Sequence, residues 1–273
     1  MIEAKKSLGQ NFLHDQGVLN RIADLAQPEA GSGLVEVGPG TGNLTAHLLD
    51  RLPTDWHLDA IERDRRMAPL LAERFGERVR VTEADAADID WPTLLDKLGP
   101  RPVVVGNLPY YAALPILFAV LEAKPARMVF MVQKEVADRL TAKPSTPAQG
   151  QISVKIQMLA DVKMAFKVGS GAFTPAPNVE SAVVTLEPLA TPRFAIPDAQ
   201  RFSALVTAGF SLRRKTLVNA VGNALHVPGD TVRAALTAIG VDVRIRAEAL
   251  TLAEWAALAR QLDDDLPKPA RSA

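Results

Sequence analysis

The sequence predicts an α/β fold, a doubly wound and mostly parallel sheet, followed by a small all-helical domain. Three observations carry that expectation. Short runs rich in Val, Leu and Ile alternate with helical stretches over the first two thirds of the chain, the pattern of βαβ units around a buried sheet. Several runs end in glycine, acidic or amide residues, which puts polar groups at the carboxyl ends of parallel strands, where open α/β sheets bind ligands. Beyond a Pro-containing stretch at residues 188–197 the periodicity is purely helical.

A chain of 273 residues holds one large domain and a smaller one, and we divide it into residues 1–192 and 193–273. Hydrophobic residues make up 48% and charged residues 23%, as in ordinary globular chains. No apolar run approaches the ~18–20 residues of a membrane span, and the first residues lack the apolar centre of a signal peptide. A cytoplasmic location away from any membrane is expected. The absence of cysteine excludes disulfides and thiolate metal sites, and no metal is expected. Net charge is zero, with 11 basic and 8 acidic side chains in residues 193–273, so a basic surface has to be argued locally.

In chain order, Asp15 is placed to cap a helix burying Val18, Leu19, Ile22, Ala23 and Leu25. By composition the segment before it reads as a loose arm. Residues 34–37 form a strand that runs into Gly38-Pro39-Gly40-Thr41-Gly42 and then a helix over 44–49. Such a turn lets a ligand approach the backbone closely, although the spacing is not that of a dinucleotide site and Pro39 removes one amide. A strand over 58–62 ends in Glu62, about 20 residues past the turn, where an acid accepts from ribose hydroxyls. The alternative for Glu62 is a solvated strand end or a helix cap. A strand over 79–85 ends in Asp85, whose carboxylate can accept from an adenine amino group. Together these residues read as an adenosine site.

The organising stretch is the buried strand at Val103-Val104-Val105, which leads through Gly106 into Asn107-Leu108-Pro109-Tyr110. A helix over 114–121, a strand over 128–132 and a helix over 134–140 follow. Residues 143–150 form a turn-rich loop that is a candidate substrate contact. A helix over 152–159 and strands over 162–168 and 182–186, antiparallel at the sheet edge, close the α/β domain. Between the last two strands lies Phe173-Thr174-Pro175-Ala176-Pro177, an aromatic ring on a stiff loop. Helices are expected over 202–210, 216–225, 230–239 and 252–262, punctuated by Gly222, Gly229 and Gly240, with a charged, disordered tail from 263.

Asn107-Leu108-Pro109-Tyr110 suits methylation of an exocyclic amine on a flat base. The N6 lone pair of adenine is delocalised and a poor nucleophile. Two acceptors on its N–H bonds, the Asn107 carboxamide and the Leu108 carbonyl held rigid by Pro109, stabilise the charge that develops as a methyl group arrives. The Tyr110 ring can stack on the base, an interaction worth about 1–3 kcal/mol. The matching donor is S-adenosylmethionine, because a sulfonium suits an acid-lined, phosphate-free pocket of the kind Glu36, Glu62 and Asp85 suggest.

With these residues in hand, the chain resembles the KsgA (RsmA) family of small-subunit ribosomal RNA adenine dimethyltransferases. The resemblance rests on Gly9-Gln10-Asn11-Phe12-Leu13, the Glu36–Gly42 segment, Asn107 to Tyr110, Gln133-Lys134-Glu135-Val136, Phe173 to Pro177 and the segment from Phe210 to Thr216. It implies a Rossmann-like class I S-adenosylmethionine-dependent methyltransferase with a mostly parallel seven-stranded sheet and a small C-terminal all-α domain that binds RNA. It also implies donor contacts at Asn11, Leu13, Gly38, Glu62, Asp85 and Asn107, with the arm, residues 1–14, folded over the donor. Tyr110 and Phe173 would sandwich the target adenine, and Arg213, Arg214 and Lys215 would contact the RNA backbone, where the alternative is a solvated helix face. The implied substrate is a pair of adjacent adenosines in the last hairpin of 16S rRNA, in a 30S precursor, with S-adenosylhomocysteine as by-product and the enzyme a monomer. The chain departs from the family pattern in having Gln149-Gly150-Gln151-Ile152 where Tyr-Gly-Arg-Leu is common, and Tyr111 where Asn is frequent. Competing readings are a large-subunit rRNA methyltransferase of the antibiotic-resistance kind, a DNA adenine methyltransferase, and a non-catalytic assembly factor on the same fold.

Overall fold

The computed structural model describes residues 10–266, and the chain forms two compact units. The first runs to Ala137 and resumes for Asp161–Pro188; the second comprises Asp138–Ala160 and the chain from Leu189. The crossover into the helical unit thus falls four residues before the expected boundary. Residues 138–160, expected with the α/β domain, belong to the helical unit, because Val154 and Met158 bury their side chains in its core.

The first unit is built on a seven-stranded sheet. Its strands are β2 (Leu34–Val37), β3 (Leu58–Glu62), β4 (Val79–Glu83), β5 (Val103–Asn107), β6 (Arg127–Gln133), β7 (Ala160–Val168) and β9 (Ser181–Pro188), in the order β4-β3-β2-β5-β6-β9-β7. The first five are parallel, and β9 runs antiparallel to β6. Central strands β2 and β5 are apolar and buried almost throughout, the composition of strands covered on both faces. Helices α1 (Gln16–Leu25), α2 (Asn43–Leu49), α3 (Met67–Phe75), α4 (Trp91–Asp96) and α5 (Ala113–Glu122) accompany them. Asp15 caps α1, its carboxylate accepting from the Val18 amide at 2.8 Å. The short α4 has too few turns to show a period, so its sequence gave no helical signal.

Residues 10–14, read from composition as a loose arm, are pinned. Phe12–Leu13 forms β1, paired antiparallel with β8 (Phe173–Thr174), and the His14 amide donates to Ala172 carbonyl at 2.9 Å. Residues 1–9, with Gly9 of the first motif, lie outside the described residues.

The second unit contains the end of α6 (Lys134–Leu140), α7 (Gln151–Leu159), α8 (Ala199–Gly209), α9 (Leu217–Leu225), α10 (Gly229–Ala238) and α11 (Leu252–Gln261). Its core gathers Phe202, Leu205, Val221, Leu236 and Trp255, with Phe210 stacked on Trp255 at 5.9 Å between ring centroids. Gly222 does not punctuate: it lies inside α9, where neighbouring apolar residues supply the packing. The expected tail does not begin at 263 either. Arg201 is paired with Asp263 and donates to the Leu266 carbonyl at 3.0 Å, and Leu266 is buried; residues 267–273 lie outside the described residues.

One close approach fixes the sheet beside the site. Gly106 faces Val37 across β5 and β2, and a methyl group at residue 106 would lie 2.5 Å from the Val37 carbonyl oxygen. Backbone on both sides leaves nothing flexible to yield. Gly106→Ala is therefore expected to destabilise the α/β unit by about 1–3 kcal/mol, read as a lower urea midpoint.

Candidate active site

The carboxyl ends of β2, β3, β4 and β5 open into one cleft. At its floor the chain leaves β2 through Gly38, Gly40 and Gly42, with φ of 67°, 54° and 83°. Three left-handed residues in five admit only glycine without strain. Glu62, at the end of β3, fastens this turn. One of its carboxylate oxygens accepts from the Gly40 amide at 3.0 Å and the other from the Asp64 amide at 2.7 Å. Burial pushes its pKa up, and the two amides oppose that shift.

The arm forms another wall. Gln10 Nε2 donates to Asp64 Oδ2 at 3.0 Å, Asn43 Nδ2 donates to the Leu13 carbonyl at 2.8 Å, and the Phe12 ring lies against Gly40. Asp64 is buried, and its bonds with Arg66 hold its carboxyl well below the usual carboxylate range. Asn11, Leu13, Gly38, Glu62, Asp85 and Asn107 all line the cleft, as do Leu108, Pro109 and Tyr110.

Asn107 ends β5. Its Nδ2 donates to the Asn11 carbonyl at 3.2 Å, which fixes the rotamer and leaves Oδ1 as an acceptor. The Leu108 amide is tied to the Met131 carbonyl at 3.1 Å. A turn follows, closed by the Ala112 amide on the Pro109 carbonyl at 3.0 Å, with Tyr110 and Tyr111 at its two central positions. Tyr110 is half-buried, and its hydroxyl meets Ser181 Oγ at 2.7 Å. Ser181 was not singled out from sequence, although it lies only four residues past Pro177 and stands opposite Gln133 on the neighbouring strand. Asp85 accepts from the Ala87 amide through Oδ1 and pairs with Arg63 through Oδ2 at 3.1 Å. Arg63 is a second residue that sequence reading passed over.

This arrangement is a cleft with the Asn107 amide oxygen at one end and the carboxylates of Glu62 and Asp85 along its side. The family model for ribosomal RNA adenine dimethylase covers residues 1–264. The chain belongs to the ribosomal RNA adenine dimethylase family. Among relatives of this family, ribosomal RNA small subunit methyltransferase A of Anaeromyxobacter sp. (strain K) is 47% identical over 271 residues, covering 96% of this chain and 94% of that protein. The protein of the same name from Geobacter sulfurreducens is 42% identical over 267 residues, with 96% of each chain covered. The solved structure of the 23S rRNA methyltransferase ErmE superposes with a TM-score of 0.69 at 27% identity, over 93% of this chain and 100% of that one. A dimethyladenosine transferase from Plasmodium falciparum shares the fold, with a TM-score of 0.75 at 24% identity over 92% and 97% of the two chains. The α/β unit is accordingly a Rossmann-like methyltransferase, the protein is an rRNA adenine dimethyltransferase, and family and fold imply S-adenosylmethionine-dependent chemistry.

For this rRNA dimethylase, two expectations from sequence meet a different geometry. Phe173 does not line the cleft. Its ring is 3% exposed in the core cluster that also holds Leu13, Val168 and Ala172, because β8 pairs with β1 and closes over it. As it stands it offers no face to a base. Arg213, Arg214 and Lys215 are exposed, but on the turn between α8 and α9 instead of a helix face. Arg213 Nη2 donates to the Pro147 carbonyl at 3.2 Å, which brings this basic turn onto the 143–150 loop. Gln149, in place of the common Tyr, is buried and donates to the Leu250 carbonyl at 3.2 Å; it serves the fold of the helical unit.

Glu36 completes the cleft. It is fully buried, and burial pushes its pKa up to about 8, against the lowering effect of Thr45 Oγ1 at 2.6 Å. A carboxyl that is neutral in the fold and ionised when unfolded contributes stability that is full at acid pH and lost as pH rises toward 8. In cofactor-free protein, melting temperature should fall between pH 5 and 8 more steeply for wild type than for Glu36→Gln. Phe173→Ala should lower stability by about 3–5 kcal/mol, the cost of emptying a buried aromatic site, measured by denaturant unfolding.

Proposed function

We propose that this protein transfers methyl groups from S-adenosylmethionine to N6 of two adjacent adenosines in the 3′-terminal hairpin loop of 16S rRNA, within a 30S precursor. The observation that carries the reading is the state of Asn107: its amide nitrogen is committed to the arm, and its oxygen remains as an acceptor at the end of β5. The small-subunit assignment is favoured by identities of 40–47% to proteins named for the small subunit, against 27% to the large-subunit enzyme.

The residues present fit the donor. Glu62 and Asp85 line the cleft at its side, with Arg63 paired to Asp85 at the rim, and this carboxylate lining suits a sulfonium better than a phosphate. Asn11, Leu13, Gly38, Glu62 and Asp85 would hold it, Glu62 using lone pairs left over from the two amides it accepts, and Asn107 would border it. When bound, it supplies an electrophilic methyl group. Asn107 Oδ1 and the Leu108 carbonyl accept from the two N6–H bonds in the first transfer, and one of them from the N–H that remains in the second. They orient the lone pair and stabilise the positive charge that grows on nitrogen, which each time is discharged by loss of a proton to water. Pro109 removes an amide and stiffens the turn, so the acceptors need little reorganisation. Tyr110, held by Ser181, stacks on the base, and Phe173 acts on capture through the position of the arm it supports. Arg213, Arg214 and Lys215 give the helical unit a cationic edge for RNA phosphates, and a monomer suffices for every role.

Labelled S-adenosylmethionine, offered with unmodified small subunits, unmodified large subunits or naked rRNA, tests the reading by mass spectrometry of the product nucleosides. Dimethyladenosine in small-subunit RNA alone is expected; label in large-subunit RNA overturns the assignment. Asn107→Ala should cut transfer by about 10²–10³, the effect of removing one charge-stabilising group. Wild-type turnover in that variant would remove Asn107 from the mechanism.

A further inference from the structure

Tyr110 and Tyr111 occupy consecutive central positions of one turn and face different surroundings. Tyr110 turns in to Ser181; Tyr111 is 56% exposed, a large apolar surface at the rim of the cleft. An exposed ring costs free energy to leave in water unless something covers it. This ring is also held in place. Arg63 Nη1 donates to the Tyr111 hydroxyl at 3.0 Å and lies 3.1 Å from Asp85 Oδ2. Arg63 follows β3 and Tyr111 follows β5, with β2 between them in the sheet, so the bond bridges the rim across the end of β2.

We propose that Tyr111, braced by Arg63, is a stacking platform for the nucleotide next to the target adenosine. The proposal rests on the rRNA reading above and adds a second base contact to it. Both side chains are about half exposed at the rim, so they meet a ligand arriving from outside the cleft. Single-stranded RNA presents such a ligand, since its unstacked bases pack on aromatic rings and guanidinium planes. A flipped adenosine leaves its neighbour without a stacking partner on one side, and a fixed ring beside the pocket mouth replaces that partner. The phenol hydroxyl sets the ring's position, while its π face makes the contact. Tyr and Asn at this position therefore differ in substrate capture and not in the acceptors that promote transfer.

Steady-state methylation of unmodified small subunits, with calorimetric binding of S-adenosylhomocysteine in parallel, tests this. Tyr111→Ala and Tyr111→Asn should raise KM for the subunits about tenfold, the order of one lost stack, with kcat within twofold of wild type and S-adenosylhomocysteine affinity held. Tyr111→Trp should restore KM. Tyr111→Phe should raise it about two- to threefold in the Arg63 background and not at all in the Arg63→Met background, because the brace is already gone. An unchanged KM in Tyr111→Ala with active wild type overturns the platform alone. A loss of S-adenosylhomocysteine affinity in place of the KM effect also overturns it and assigns the pair to the donor. Absence of transfer by wild type to any rRNA overturns both this proposal and the reading beneath it.

Discussion

The pairing of Gly106 with Val37 is the constraint on which the site depends. Two parallel strands meet there with no side chain between them on one side, and the contact is backbone against backbone. It sets the level at which each strand ends. Gly38 and Asn107 are the next residues of the two chains, and they come out abreast: a Cβ on Gly38 would lie 3.7 Å from the Asn107 carbonyl. The glycine turn and the Asn-Leu-Pro-Tyr segment share one opening because of this register.

The polar side chains around that opening serve the fold and the site at once. Glu62 receives two backbone amides, Asn107 gives its amide to the arm, and Asp64 joins Gln10 to Arg66. Each group thereby loses rotational freedom and keeps only part of its hydrogen-bonding capacity for a ligand. Preorganisation of this kind lowers the cost of binding, since rotamers that would freeze on contact are frozen already. It also makes the arm a structural element: the two-residue β1 is held by β8 and by the Asn43 side chain, and the residues before it by Asn107 and Asp64.

Much of this was legible in the sequence. Strand ends at Val37, Glu62 and Asn107 follow from apolar runs meeting glycine, acid or amide, and α1 begins where Asp15 caps it. The arm defeated composition because its order comes from contacts about 30 to 160 residues away, which local pattern does not encode. Phe173 read as a ring on an exposed loop; its burial follows from a two-residue ladder too short to leave a period. Ser181 and Arg63 were missed for a related reason: each acts on a tyrosine distant in sequence, and neither belongs to a residue type that announces a partner. Residues 138–160 were placed with the sheet because they are continuous with β6, whereas the apolar face of α7 packs among later helices.

That interleaving limits how the protein can be cut or recombined. The backbone leaves the α/β unit after Ala137, re-enters at Asp161 and leaves again after Pro188, so no single peptide bond separates the two units. Truncation after Pro188 would strand α7, with Val154 and Met158 stripped of their cover, on a fragment prone to aggregate. Exchange of helical units between relatives would have to carry two segments together. A crossover at one point would join halves of two different cores, so inheritance of the helical unit from residue 189 onward is tied to that of residues 138–160, which interrupt the sequence of the α/β unit.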